Sequence, residues 1–242
     1  MLVVVASPDD NAARALVDRW RKHGCGLLTS ADLSSRGWRF TPGDCPDKQT
    51  AVVEGRLVPT QQIEGVLTLL PNVLPHELHH IIPRDREYVA QEMTAFLLAW
   101  LTELHCPVLN RPLATSLVGP LWPIERWRHV AICAGLKATT LNRRVETAGV
   151  SPWMLPPSGA FVTVVGEGLI GDVPAQLGVQ AKRLAAAARA ELLTVFFDGA
   201  DADSCFLFAD PRPSLGDQRV ADAILSHLWR AAHREVATGK LR

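Results

Sequence analysis

The densest group of chemically capable side chains is His76-Glu77-Leu78-His79-His80, with four metal-binding candidates in five residues. His76 and His80 stand at i and i+4, and Glu77 follows the first. That satisfies the HExxH pattern formally; on a helix, such spacing stacks two imidazoles over one zinc with the Glu as general base. Pro75 and Pro83 bracket the run, however, and leave room for about two helical turns. A solvated loop cluster is the favoured reading, with His76 and His80 as an alternative metal pair. Gly166-Glu167-Gly168-Leu169-Ile170-Gly171 spells GxGxxG, the signature of a strand-to-helix turn around a pyrophosphate. For the acidic residue that should follow about 20 positions later, Asp198 is a late candidate, and Pro174 delays the helix. A hairpin turning at Gly-Glu-Gly explains the same residues, with a dinucleotide-binding protein as the alternative. Arg126, Arg128 and His129, with the pair Arg143-Arg144, could form an anion-binding face, or a solvated edge around a buried Trp127. No GxSxG occurs, so serine-nucleophile chemistry has no signal. Cys106, before a proline in apolar surroundings, reads as a buried small hydrophobe.

The elements that must position these groups follow from periodicity. Leu2 to Ala6 is an unbroken apolar run, the pattern of a strand covered on both faces. Ser7-Pro8-Asp9-Asp10 supplies helix-start chemistry, and Ala13, Leu16, Val17 and Trp20 recur at helical spacing up to a stop at Gly24. Residues 26–29 make a second strand, so the chain opens β-α-β and predicts a parallel sheet. Residues 51–58 read as a hairpin around Gly55, and residues 65–70 as another strand. After the Pro- and His-rich loop 71–83, the spacing of Val89, Met93, Phe96, Leu97, Trp100, Leu101 and Leu104 predicts a long amphipathic helix over 85–105. A strand at 107–110, a helix over 124–134 and a strand over 137–141 follow. Gly149, Pro152, Pro156 and Pro157 mark a junction over 142–158. Beyond it come strands at 160–165 and 169–173, a helix over 175–191, strands at 193–197 and 204–209, and a closing helix over 217–236.

The 242 residues suffice for one large or two modest domains. Lys plus Arg and Asp plus Glu are 25 each, a zero net charge that argues against nucleic acid as a partner. No apolar run approaches the ~20 residues needed to span a bilayer, so no membrane partner is expected. The opening Met1 to Ala6 is too short for a signal segment. Five scattered cysteines, without a CxxC pair, suit a reducing cytoplasm.

Three stretches carry a family resemblance: Gly65 to Pro71, then Asp85 to Glu92, then Val108-Leu109-Asn110-Arg111-Pro112. In order and type they resemble the N-terminal domain of ATP-grasp peptide ligases, relatives of the ribosomal-protein glutamate ligase. Residues 131–140 are similar to that family's entry to the ATP-grasp core, and residues 193–198 and 205–213 to the strands that close it. The resemblance implies an α/β fold with two lobes: a pre-ATP-grasp-like parallel-sheet lobe over 1–118 and an abbreviated ATP-grasp-like α+β lobe over 119–242. It also implies ATP and Mg²⁺ as cofactors and the phosphorylation of a carboxylate as the reaction.

The same resemblance exposes a deficit. Only about twenty residues lie where a nucleotide-clamping subdomain with its phosphate-binding lysine should be. The family's acidic residue on the first late strand is replaced by Phe196, and its Glu-x-Asn on the second by Phe208-Ala209-Asp210. Mg²⁺ demands hard oxygen ligands, and only Asp198 and Asp210 remain as metal candidates. Without the metal and a lysine, little neutralises charge on a transferred phosphoryl group. The chain is therefore read as a non-catalytic relative with no cofactor expected, binding a peptide, protein or nucleotide-like ligand beside a ligase or peptide-maturation pathway. Arg126, Arg128, Arg143, Arg144 and Arg212 are its ligand-binding candidates, and a homodimer is a further expectation. An ATP-dependent carboxylate–amine ligase that borrows its missing parts from a partner is the enzymatic alternative.

Overall fold

The opening apolar run forms β1 (Leu2–Val5), and Val3, Val4 and Val5 are wholly buried, as a strand covered on both faces requires. α1 (Asn11–Trp20) begins where the Asp10 carboxylate accepts a 2.9 Å hydrogen bond from the Ala13 amide. It buries Ala13, Leu16, Val17 and Trp20, the residues its periodicity singled out. Gly24, at φ 68°, supplies the left-handed turn into β2 (Cys25–Leu28). A short α2 (Ser30–Leu33) follows, opened by the Asp32 carboxylate, whose Oδ2 accepts from the Thr29 amide at 2.9 Å. The hairpin β3 (Thr50–Val53) and β4 (Arg56–Pro59) turns at Glu54-Gly55, both at positive φ. β5 (Gly65–Thr68), α3 (Arg86–Glu103) and β6 (Val108–Leu109) complete this part of the chain.

The structure is a computed structural model that describes residues 1–43, 45–138 and 159–237. By contacts the chain divides into two units, Met1–Leu121 with Ser214–Arg242, and Trp122–Pro213. The first unit holds a four-stranded sheet in the order β2-β1-β5-β6, parallel throughout. One face of that sheet packs Val3, Val5, Leu28 and Val66 into a core with Leu97, Trp100 and Leu101 of α3.

The second unit begins with α4 (Ile124–Cys133), which buries Trp127 and Ala131. The strand expected over 137–141 is present, within the described residues, as a single parallel bridge from Ala138 to Phe206. The Pro-rich junction 142–158 lies outside the described residues, as do Arg143 and Arg144. β7 (Ala160–Val165) and β8 (Gly168–Ile170) precede α5 (Ala175–Ala188), which ends at Arg189 in the left-handed region. β9 (Leu192–Phe197) and β10 (Phe206–Asp210) then complete an antiparallel sheet in the order β10-β9-β7-β8. Val162, Val164, Leu193, Val195 and Phe197 pack from one face of it against α4 and α5 residues.

The chain closes with α6 (Gln218–Ala237), an element of the first unit rather than of a continuous 119–242 lobe. Its Val220, Ala221, Ile224 and Leu228 are fully buried. The absent side chain of Gly65 admits Leu228, because a Cβ there would sit 3.3 Å from it. Nothing in the local periodicity of an amphipathic helix says which sheet it will cover.

Candidate functional site

Pairing register brings the late strands' residues into rows across the second unit's antiparallel sheet. Phe161, Phe196 and Phe208 stand opposite one another, and Thr163, Thr194 and Asp210 form the next row on the same face. A β-bulge between Phe206 and Phe208 decides this arrangement. Phe206 pairs with Phe197 and faces the core, and the extra residue then turns Phe208 and Asp210 to the opposite face. The Phe196 and Phe208 rings stack at 4.1 Å with an interplanar angle of 4°, and Phe161 lies 5.9 Å from Phe196. Beneath them, Thr163 and Thr194 share a buried hydroxyl–hydroxyl bond of 3.0 Å.

This face is where the family resemblance places metal-binding carboxylates. Two of those positions carry stacked phenylalanine rings, which offer no lone pair to Mg²⁺. The two remaining carboxylates are engaged locally. Asp210 Oδ1 accepts from the Arg212 backbone amide at 2.8 Å, and Oδ2 accepts from its guanidinium at 2.9 Å. The pairing with Asp210 raises the Arg212 guanidinium above its ordinary value. Asp198 Oδ1 accepts from the Cys205 amide at 2.7 Å, closing the loop between β9 and β10. Among the described residues no three His, Cys, Asp or Glu side chains gather to hold a metal ion.

Other candidates separate. Arg126 stacks over Trp122 at 4.0 Å, and Trp122 lies 4.7 Å from the buried Trp127. Arg128 is two positions on along α4, and residues so spaced do not share a helix face.

The histidine run does not form the helix that a zinc protease pattern needs. Residues Pro75–Glu77 make a single 3-10 turn, so His76 and His80 are not stacked by helical periodicity. His80 Nε2 instead meets Ser34 Oγ at 2.7 Å. Glu77, read as a solvated neighbour of the histidines, is turned inward and buried. The glycine signature follows the hairpin reading and not the dinucleotide alternative: Gly166-Glu167 is the two-residue turn of an antiparallel hairpin, with Val165 opposite Gly168. A dinucleotide turn joins a strand directly to a helix, whereas here β8 intervenes and α5 starts only at Ala175.

No protein-family model matches the chain, and no curated protein matches it. Solved structures do. The chain is similar to the macrocyclase MdnC bound with precursor peptide MdnA from Microcystis aeruginosa MRC, at 10% identity and a TM-score of 0.65, covering 95% of this chain and 99% of that one. It is similar to the ATP-grasp ligase PsnB complexed with minimal precursor, Mg and ADP, at 14% identity and a TM-score of 0.62, covering 95% and 98%. It is also similar to a Chryseobacterium gregarium RiPP-associated ATP-grasp ligase in complex with ADP and a leader and core peptide. That match has 10% identity and a TM-score of 0.63, covering 95% and 96%.

Proposed function

We propose, from the premise that this chain has the ATP-grasp fold, that it is a non-catalytic member of that architecture which binds a peptide. The observation that carries the reading is the parallel stack of Phe196 on Phe208. Family chemistry needs oxygen ligands at those positions to hold Mg²⁺ against a triphosphate, and a ring pair supplies none. A carboxylate such as Asp210, already closed on Arg212, does not make up the loss. The likeness to ligases solved with precursor peptides supports a peptide as the ligand, and an accessory role in peptide maturation follows from that.

No helix among the described residues is long and apolar enough to cross a membrane. Calorimetric titration of the full chain with ATP and Mg²⁺ tests the non-catalytic half. The expected result is no heat of binding and no thermal shift. Saturable Mg²⁺-dependent nucleotide binding would restore the ligase reading. Selection from a displayed peptide library tests the other half, and binders should be recovered on the wild-type chain.

A further inference from the structure

The first unit carries a second feature that metal chemistry does not explain. A groove of about 380 Å³ runs along α3, within the size range of ligand sites. One wall is the helix itself, with Tyr88, Glu92 and Phe96 in one i, i+4 line and Val89 and Met93 in the next. Leu33 and Trp38 form the other wall.

The wall is preorganised. Trp38 Nε1 donates to the Asp32 carbonyl at 2.8 Å, and its ring stands edge-on to Phe96 at 5.0 Å and to the buried Trp100 at 5.4 Å. Rings held in this way lose little freedom when a ligand arrives. Tyr88 is 66% exposed at one end. Val89, Met93 and Phe96 belong to the apolar stripe of α3, yet they are only half-buried, unlike Leu97, Trp100 and Leu101.

Glu92 is the one charged side chain among the lining residues. Covering it with a purely apolar occupant would strip water from a carboxylate without replacement, which is costly. A cation with an apolar stem satisfies both the rings and the carboxylate. A guanidinium fits best, because its flat face stacks on aromatic rings while its edge pairs with a carboxylate through two parallel N–H bonds. From Tyr88 to Phe96 the groove extends roughly 12 Å along the helix. That length matches about four residues of extended chain.

We propose that this groove binds an extended peptide segment presenting an arginine between apolar residues, with the guanidinium paired to Glu92 and the flanking side chains on Trp38, Met93 and Phe96. The proposal rests on the reading of the protein as a peptide binder and names the chemistry of its ligand.

The test titrates the full chain with the capped tetrapeptide acetyl-Val-Arg-Leu-Val-amide and with the same peptide carrying citrulline, which keeps the shape and removes the charge. The arginine peptide should bind about tenfold more tightly, the equivalent of one desolvated charge pair. Glu92→Gln should erase that difference, and Tyr88→Ala should weaken both peptides. Both substitutions are at exposed positions and leave the core untouched. A lysine version should fall between the two, lacking the planar fork. Equal affinity for arginine and citrulline, a preference that survives Glu92→Gln, or no binding of the arginine peptide at millimolar concentration would each overturn the proposal. So would self-association of the chain abolished by Tyr88→Ala, which would assign the groove to a second copy. Library binders unaffected by either variant would sink this site alone. A library that yields none on the wild-type chain would sink the broader peptide reading.

Discussion

Glu77→Gln should make the protein more stable at neutral pH, although it removes a charge and adds no contact. Glu77 is 6% exposed, and neither carboxylate oxygen has a hydrogen-bond partner among the described residues. Its backbone is pinned on both sides. The Glu77 amide donates to the Leu74 carbonyl at 3.0 Å, the Leu78 amide donates to Pro75 at 3.2 Å, and Leu78 itself is wholly buried in the core. Swinging the side chain to water would therefore pull Leu78 out of apolar surroundings. A buried neutral group without a partner costs about 1–3 kcal/mol, and a charged one costs more. Glutamine keeps the neutral part of that penalty and loses the ionic part, so the gain should be roughly 1–3 kcal/mol. In a chain of this size that corresponds to about 2–12 °C in Tm. Because two units can unfold separately, tryptophan emission, to which the first unit contributes Trp20, Trp38, Trp100 and Trp229 and the second unit the rest, should be followed through guanidinium denaturation with the two transitions fitted separately. A midpoint for Glu77→Gln below the wild type would refute the reasoning and show that the carboxylate has a stabilising donor.

The phenylalanine stack can be measured by a double-mutant cycle of Phe196→Ala and Phe208→Ala. A coupling of about 0.5–1.5 kcal/mol is expected for rings so placed, and zero coupling would remove the stack as a stabilising feature. Burial, reinforced by the Glu54 charge, pushes the Cys25 thiol up to about 12, so iodoacetamide at pH 8 should modify the exposed Cys45 and Cys133 and spare Cys25 until the protein is unfolded. Peptide mass mapping reads this directly. The Lys137 ammonium holds the Asp203 carboxyl below its ordinary value. A group lowered in the folded state contributes stability above its unfolded pKa and loses it as pH falls through the folded one. Asp203→Asn should therefore lower stability slightly at neutral pH and flatten the acid limb of the profile, in keeping with full exposure of the pair, with the two proteins converging only below the pKa of the folded state.

Several features were legible in the sequence because they depend on nearest neighbours along the chain. The apolar run at Leu2 required a strand with both faces covered, and the spacing of Ala13, Leu16, Val17 and Trp20 required one helical face. Pro174 and the close glycines argued for a hairpin, and Gly166-Glu167 is that hairpin's turn. Other features depend on which surfaces meet. A helix periodicity gives the angle of a stripe but not what covers it, so the α3 stripe could not reveal that Leu97 goes to the core while Phe96 lines a groove. The closing helix has the same limitation, and Leu228 finds its place only where Gly65 leaves room. A loop glutamate flanked by histidines reads as solvated, and only the burial of Leu78 beside it turns Glu77 inward. Phe196 and Phe208 could be matched to metal positions one at a time, but their stacking depends on a bulge that shifts the register by one residue. The chain alone thus determined the elements and their order, since those follow from local sterics and periodicity. Which residues share a face was decided by tertiary pairing, because a one-residue shift in a strand sends every following side chain to the other side.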